Sequence, residues 1–187
     1  MEKPTILSVV TLSLTAAFLL TGGDACDGAP RMSAVDACKQ ASTADVMWQL
    51  CVRMLGTSPE PKEVTCYVFT AMNSNIEQYV ISYEAADKVR QDASSSQQLS
   101  TACDTCMRNY DVAKMKMVYS RDRLRSCDLS AETRVDLLAA VVAVDDCATL
   151  LLRAGGDKTP LHRMVLLDRD RAVLLLRLAI LLLPNKS

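Results

Sequence analysis

The chain has 187 residues, half of them apolar but only 4% aromatic, with a formal net charge of −1. An apolar half so poor in aromatics implies an aliphatic, methionine-rich core, which favours helices over a β-sandwich. There is no basic stripe and there are too few aromatics for a stacking platform, so no nucleic-acid partner is expected.

At the amino end Lys3 precedes an apolar run from Ile6 to Leu20, and Thr21-Gly22-Gly23-Asp24-Ala25 follows with small residues. That is the anatomy of a secretory signal. The run includes Ser8, Thr11, Ser13 and Thr15 and falls short of the roughly 20 apolar residues of a spanning helix. Residues 1–25 are expected to be a signal peptide cut after Ala25, with Gly23 as the second choice. Residues 26–187 are expected to form one secreted domain with its own core. An oxidising compartment makes the cysteines candidates for disulfides.

Asp27 to Arg31 reads as a polar linker, after which helical signals run with interruptions from near Ser33 to Leu55. Cys38 and Cys51 lie close together in this stretch and suit a local staple. Gly56-Thr57-Ser58-Pro59-Glu60-Pro61 is a loop that permits a helix start near Lys62. From there to about Asp92, Val64, Val68, Ala71, Tyr79, Tyr83 and Ala86 keep helical spacing. Ala93-Ser94-Ser95-Ser96-Gln97-Gln98 breaks the pattern. Leu99, Cys103, Cys106, Tyr110, Ala113 and Met117 then step by alternating threes and fours. The polar stretch Ser120 to Arg125 fades into Ser126-Cys127-Asp128. Ser130 offers a cap for a third helix, with Glu132 in its first turn, and Leu137, Ala140, Val144, Cys147 and Leu151 carry its apolar face. Gly155-Gly156 ends it. Thr159-Pro160 opens a fourth helix expected to run to about Leu183. Four such helices with short connections predict an all-α, up-down-up-down four-helix bundle.

The leucine-rich run from Leu174 to Leu183 is too short to span a membrane and holds Arg177 in its middle. The same charge argues against a lipid-anchor tail behind Gly155-Gly156, so no membrane anchor is expected. Asn185-Lys186-Ser187 has the form of a glycosylation acceptor but is expected to go unused so near the end.

Cys106 and Cys147 lie 41 positions apart, and their midpoint falls in the turn at Ser126-Cys127. Folded there as an antiparallel pair, the two helices bring these residues level, each on its apolar stripe, as a disulfide with Cα atoms about 5.5 Å apart requires. The same arithmetic on the preceding hairpin, folded near Ser95, brings Cys66 level with about position 124 and makes Cys66–Cys127 the candidate for an extra bridge. Cys26 and Cys103 receive no assignment.

Other constellations carry no chemistry. Cys103-Asp104-Thr105-Cys106 is a CxxC, but it has no βαβ context for redox work, and the lone His162 has no second CxxC to complete a zinc site. His162, in the first turn of the last helix, is expected at the surface. No G-x-S-x-G elbow is present. Gly155-Gly156-Asp157-Lys158-Thr159 lacks the Gly before Lys and the preceding strand of a phosphate loop. Asp145 and Asp146 are successive on a helix, point about 100° apart and read as solvated or interface-facing charge. The chain is therefore expected to act by binding, not as an enzyme, without cofactor or metal.

Several fragments resemble the plant invertase/pectin methylesterase inhibitor family. Asp36-Ala37-Cys38-Lys39-Gln40-Ala41-Ser42 with Leu50-Cys51-Val52-Arg53-Met54-Leu55 is similar to its first cysteine pair. Leu99-Ser100-Thr101-Ala102 before Cys106-Met107-Arg108-Asn109-Tyr110 resembles its Cys-x-x-x-Tyr helix. Val141-Val142-Ala143-Val144-Asp145-Asp146-Cys147 resembles its fourth-cysteine segment, and Thr159-Pro160-Leu161 with a leucine-rich helix its carboxyl end. The resemblance implies a helical hairpin before the bundle, bridges Cys38–Cys51 and Cys106–Cys147, and residence in the cell wall or apoplast. It also implies a protein target, pectin methylesterase or acid invertase. Invertase inhibitors of the family carry Pro-Lys-Phe between the second and third bundle helices. Here that connection reads Arg125-Ser126-Cys127-Asp128-Leu129-Ser130, so pectin methylesterase is the expected target and invertase the alternative. Trp48, where the family often has tyrosine, and the additional cysteines are departures from its pattern. Secreted lipid carriers with eight cysteines are a remote alternative, and their adjacent cysteines and Cys-x-Cys are missing here.

Overall fold

The computed structural model describes residues 26, 28–128 and 130–182. The expected signal peptide at 1–25, the end of the last helix at Leu183 and the Asn185-Lys186-Ser187 acceptor lie outside them. The described residues form six helices and one pair of two-residue strands, so the chain is mostly helical.

Local signals set the first elements. Ser33 caps α1 (Ala34–Ala41): its Oγ accepts the Asp36 N–H at 3.1 Å and its hydroxyl donates to the Asp36 carboxylate at 2.6 Å. α2 (Asp45–Leu55) ends at Gly56, whose φ of 79° suits a residue without Cβ and whose N–H reaches the Val52 carbonyl. The strands β1 (Arg31–Met32) and β2 (Lys62–Glu63) pair antiparallel with Arg31 opposite Glu63. The Tyr67 hydroxyl adds a bond to the Met32 carbonyl at 3.0 Å. This pairing holds Lys62 and Glu63 extended, so the helix expected from Lys62 begins at Val64, whose N–H is already bound to the Pro30 carbonyl.

Four long helices follow: α3 (Val64–Gln91), α4 (Gln97–Arg125), α5 (Ala131–Arg153) and α6 (Pro160–Ile180). Ser96 caps α4 by accepting the Leu99 N–H, and Thr159 caps α6 by accepting that of His162, with Pro160 at the first helical position. The stretch Ser120 to Arg125, read as a fade-out, is helical. Ser120 and Leu124 continue the step from Met117 and are buried, so the apolar stripe outlasts the polar composition around it.

α4 packs against both α3 and α5, and α6 against both α5 and α3. The contacts give the directions. Arg90 on α3 pairs with Asp104 and Tyr79 with Tyr110, while Lys116 on α4 pairs with Asp136 and Gln98 bonds the Arg153 carbonyl. Partners late on one helix are early on the next, so α3 and α5 both run antiparallel to α4. Among α3, α4, α5 and α6 lies a core of Val68, Met72, Met117, Leu137, Leu151, Leu174, Leu175 and Leu178, all essentially sealed from solvent. Tyr79 and Tyr110 meet inside it with ring centroids 5.4 Å apart at a tilt of 57°, a favoured aromatic arrangement. Burying side chains of this size contributes about 1.5–3 kcal/mol each, before the entropy of ordering them is subtracted.

α1 and α2 lie against α6, and α2 also against α3. Arg177, the cation inside the leucine run, is half-buried, and its Nε donates to the Ala41 carbonyl at the end of α1. The charge thus satisfies an orphan helix-end carbonyl. Among the described residues no helix is long and apolar enough to cross a membrane.

Candidate functional site

The structure pairs Cys38 with Cys51, joining α1 to α2 with Cα atoms 5.5 Å apart, and Cys106 with Cys147, joining α4 to α5 with Cα atoms 4.7 Å apart. The third bridge corrects the expected Cys66–Cys127 pairing. Cys127 joins Cys26 with Cα atoms 5.3 Å apart, and Cys66 is free and exposed. Height along the hairpin is only half of what a disulfide needs. Val64, Val68 and Ala71 turn into the core, which leaves Cys66 on the outer face of α3. Cys127 lies past the end of α4 with φ of 55°, a left-handed conformation uncommon for a residue with Cβ. It is the left-handed residue of the turn that ends α4, its N–H bonding the Leu124 carbonyl and that of Asp128 the Arg123 carbonyl. Cys103, the other half of the CxxC, is buried and free, and burial pushes its thiol up to about 11. With one cysteine locked to α5 and the other kept protonated, the CxxC is no redox pair.

A polar cluster that periodicity did not single out lies inside the core. Asp168 of α6 is fully buried, and its Oδ2 accepts the hydroxyls of Ser82 on α3 at 2.5 Å and Tyr110 on α4 at 2.8 Å. Arg171, one turn along α6, approaches its Oδ1 at 3.4 Å. Desolvation raises the Asp168 pKa above the usual carboxylate range, against the opposing pull of its hydroxyl donors and Arg171. Desolvation and the nearby Asp168 together push the Tyr79 and Tyr110 phenols far up. The Tyr79 hydroxyl and the Asn75 Oδ1 are buried without a hydrogen-bond partner. No solvent reaches Asp168, and through its bonds to Ser82 and Tyr110 it ties three helices together.

His162 is buried at 9% exposure, not at the surface as expected. It follows Leu161, packed in the core, and precedes Val165 by three positions, so it shares their inward face. Asp145 and Asp146 are exposed, and Asp145 lies 3.6 Å from Arg169 on α6. Gly155 has φ of 73° and its N–H bonds the Leu152 carbonyl, while that of Gly156 bonds the Leu151 carbonyl. Together these close α5, as a helix terminus does. Among the described residues no group of three or more His, Cys, Asp or Glu could hold a metal ion.

The outer surface is more distinctive. On α4, Val112, Met115 and Tyr119 are 41%, 44% and 51% exposed; on α5, Val135, Leu138 and Val142 are 63%, 49% and 50% exposed. Each set steps by three and then four, so each helix carries an apolar stripe on its solvent side in addition to its buried one. Between α4 and α5 sits a charged cluster. Asp136, nearly buried, takes Lys116 at 2.8 Å and Arg123 at 2.6 Å on its two oxygens. This fixes the register of the two helices at their turn-proximal end, where Ser126 closes α4 by binding back to the Arg123 carbonyl. The stripes were legible in principle: a second apolar set at the same period, out of phase with the first, signals a face kept for contact.

No protein-family model matches the chain, and no curated protein matches it at a significant level.

Proposed function

We propose that this chain is a secreted proteinaceous inhibitor of pectin methylesterase, acting in the cell wall by covering the enzyme's substrate cleft. The reading rests first on the family resemblance of its cysteine-bearing segments. Its architecture is then an up-down-up-down bundle of α3 to α6 preceded by the α1–α2 hairpin, a reading supported by the way each long helix packs against two others. Three disulfides suit an oxidising compartment.

The observation that carries a binding role is the pair of solvent-facing apolar stripes on α4 and α5. Exposed apolar side chains scattered singly need no explanation, but two periodic sets on adjacent helices favour a protein contact. Tyr119 is the natural anchor, an exposed aromatic residue with a polar tip on the α4 stripe. The connection from α4 to α5 holds no Pro-Lys-Phe, and Cys127 within it is committed to a disulfide, so nothing there offers the loop insertion used against invertase.

The test titrates the purified protein against a plant pectin methylesterase and an acid invertase in parallel. Stoichiometric inhibition of the esterase, weakened about tenfold or more by Tyr119→Ala, is the expected result. Inhibition of invertase alone would reverse the assignment, and inhibition of neither would leave a disulfide-stapled bundle with a different partner.

A further inference from the structure

Away from the α4–α5 stripes, a cleft of ≈ 260 Å³ opens where α2 meets α3 and α6, lined by Leu50, Arg53, Met54, Ser74, Leu167 and Arg171. We propose that this cleft binds a small organic carboxylate, its charge held by Arg53 and Arg171 and its apolar body by Leu50, Met54 and Leu167. The two guanidinium groups come from different helices, and no acidic residue lines the cleft. Arg53 makes no ion pair among the described residues. Arg171 has only the 3.4 Å approach to one oxygen of Asp168. The other oxygen of Asp168 is engaged by Ser82 and Tyr110, so Arg171 keeps donors in its planar fork for a second carboxylate. The Ser74 hydroxyl is a third donor in the same cleft.

The chemistry selects the class of ligand. Paired guanidinium forks match a carboxylate in bidentate geometry, and the apolar wall favours an acid with a hydrocarbon body over a bare inorganic ion. The cleft is smaller than the range of about 300–1,000 Å³ usual for drug-sized ligands, which limits the occupant to about a single ring. Arg53 sits in the last turn of α2, where the carbonyl end of the helix disfavours an anion. One cation would be partly cancelled there, and the second from α6 restores a net attraction. Glu77, one turn from Ser74 on the exposed side of α3, is the nearest acidic residue along that helix and is not part of the lining.

The experiment uses the full secreted protein with its disulfides intact, at low ionic strength, titrated with benzoate, with inorganic phosphate and with benzyl alcohol. It is followed by NMR of backbone amides and arginine Nε–H groups. Benzoate should bind saturably and shift the Arg53 and Arg171 Nε–H signals together with the amides of Met54, Ser74 and Leu167. Phosphate should bind more weakly and benzyl alcohol not measurably. Arg53→Gln, at an exposed position that leaves the core untouched, should weaken benzoate about tenfold, and Arg53→Lys less. The inference is overturned if benzoate does not saturate, if its shifts map elsewhere, if benzyl alcohol or phosphate binds as well, or if Arg53→Gln changes nothing. Esterase inhibition reads a different face, so either result stands independently of the other.

Discussion

Replacing Asp168 by Asn isolates what a buried carboxyl does to this fold. Asn can place its carbonyl oxygen where Oδ2 accepts Ser82 and Tyr110, so both hydroxyls keep a partner and the core keeps its volume. What disappears is the titration, together with the Arg171 contact to Oδ1, whose place the amide nitrogen takes; Arg171 stays charged throughout, so that loss is a pH-independent offset. Desolvation holds the native pKa of Asp168 above its unfolded value, so the native state retains the proton to higher pH than the unfolded chain does. The associated stability is fully present below the unfolded pKa and is lost as pH rises through the folded pKa. The loss can reach about 1.4 kcal/mol per pH unit between the two values. The groups that face this carboxyl are Ser82 and Tyr79 from α3, Tyr110 from α4 and Arg171 from α6. Asp87, Asp92 and Glu132 have lowered pKa values from their hydrogen bonds and give the wild type an opposite slope at acid pH. They are common to both proteins and cancel in the difference. Urea unfolding of both proteins from pH 3.5 to 7.5 should therefore show wild type losing ground to Asp168→Asn as pH rises above the unfolded carboxylate pKa, with the difference levelling off once the native carboxyl is ionised. A pH-independent difference, or a wild type that gains on the variant as pH rises, would refute the desolvation argument.

Three further outcomes follow from the same interior and its staples. Tyr79→Phe removes a buried hydroxyl that has no partner and should leave stability unchanged or raise it by about 1 kcal/mol, whereas Tyr110→Phe removes a donor to Asp168 and should cost about 1–2 kcal/mol; paired denaturant melts decide. Thiol titration of the native protein should report Cys66 alone, with Cys103 reacting only after unfolding, and peptide mapping should find Cys26 linked to Cys127. The double variant Cys106→Ala, Cys147→Ala opens a 41-residue separation and should lose about 4 kcal/mol in the chain-entropy model, against about 3 kcal/mol for opening the shorter Cys38–Cys51 loop, measured as changes in urea midpoint.

The helices were legible because their buried faces obey one period. Cys103, Cys106, Tyr110, Ala113 and Met117 on α4, and Leu137, Ala140, Val144, Cys147 and Leu151 on α5, are all buried. Turn chemistry was equally direct at Gly56 and Thr159, where a positive φ or a side-chain acceptor is a local requirement. Ser96, read only as part of a break, instead caps α4, and Ser130, read as a cap, precedes α5 without a side-chain capping bond. What the sequence withheld depends on distant partners. Two-residue strands carry no alternation, so the β1–β2 pairing was invisible. Asp168 reads as surface charge in Leu167-Asp168-Arg169-Asp170-Arg171, and only the approach of Ser82, 86 positions away, makes it a core residue. Arithmetic along a hairpin predicts height and not face, and for that reason it led from Cys127 to the outward-facing Cys66.

The staples and the polar cluster also bear on what the outer surface is free to do. Cys106–Cys147 and the Asp136 pairs with Lys116 and Arg123 fix α4 against α5 near both ends of their contact. Asp168 meanwhile locks α3 and α4 to α6. The exposed stripes of Val112, Met115 and Tyr119 and of Val135, Leu138 and Val142 thus sit on helices whose relative position is set from inside. A rigid helical face loses little conformational entropy when it docks, since only surface side chains are newly ordered. That is the arrangement an inhibitor needs if affinity is to come from a few apolar anchors rather than from a mobile loop.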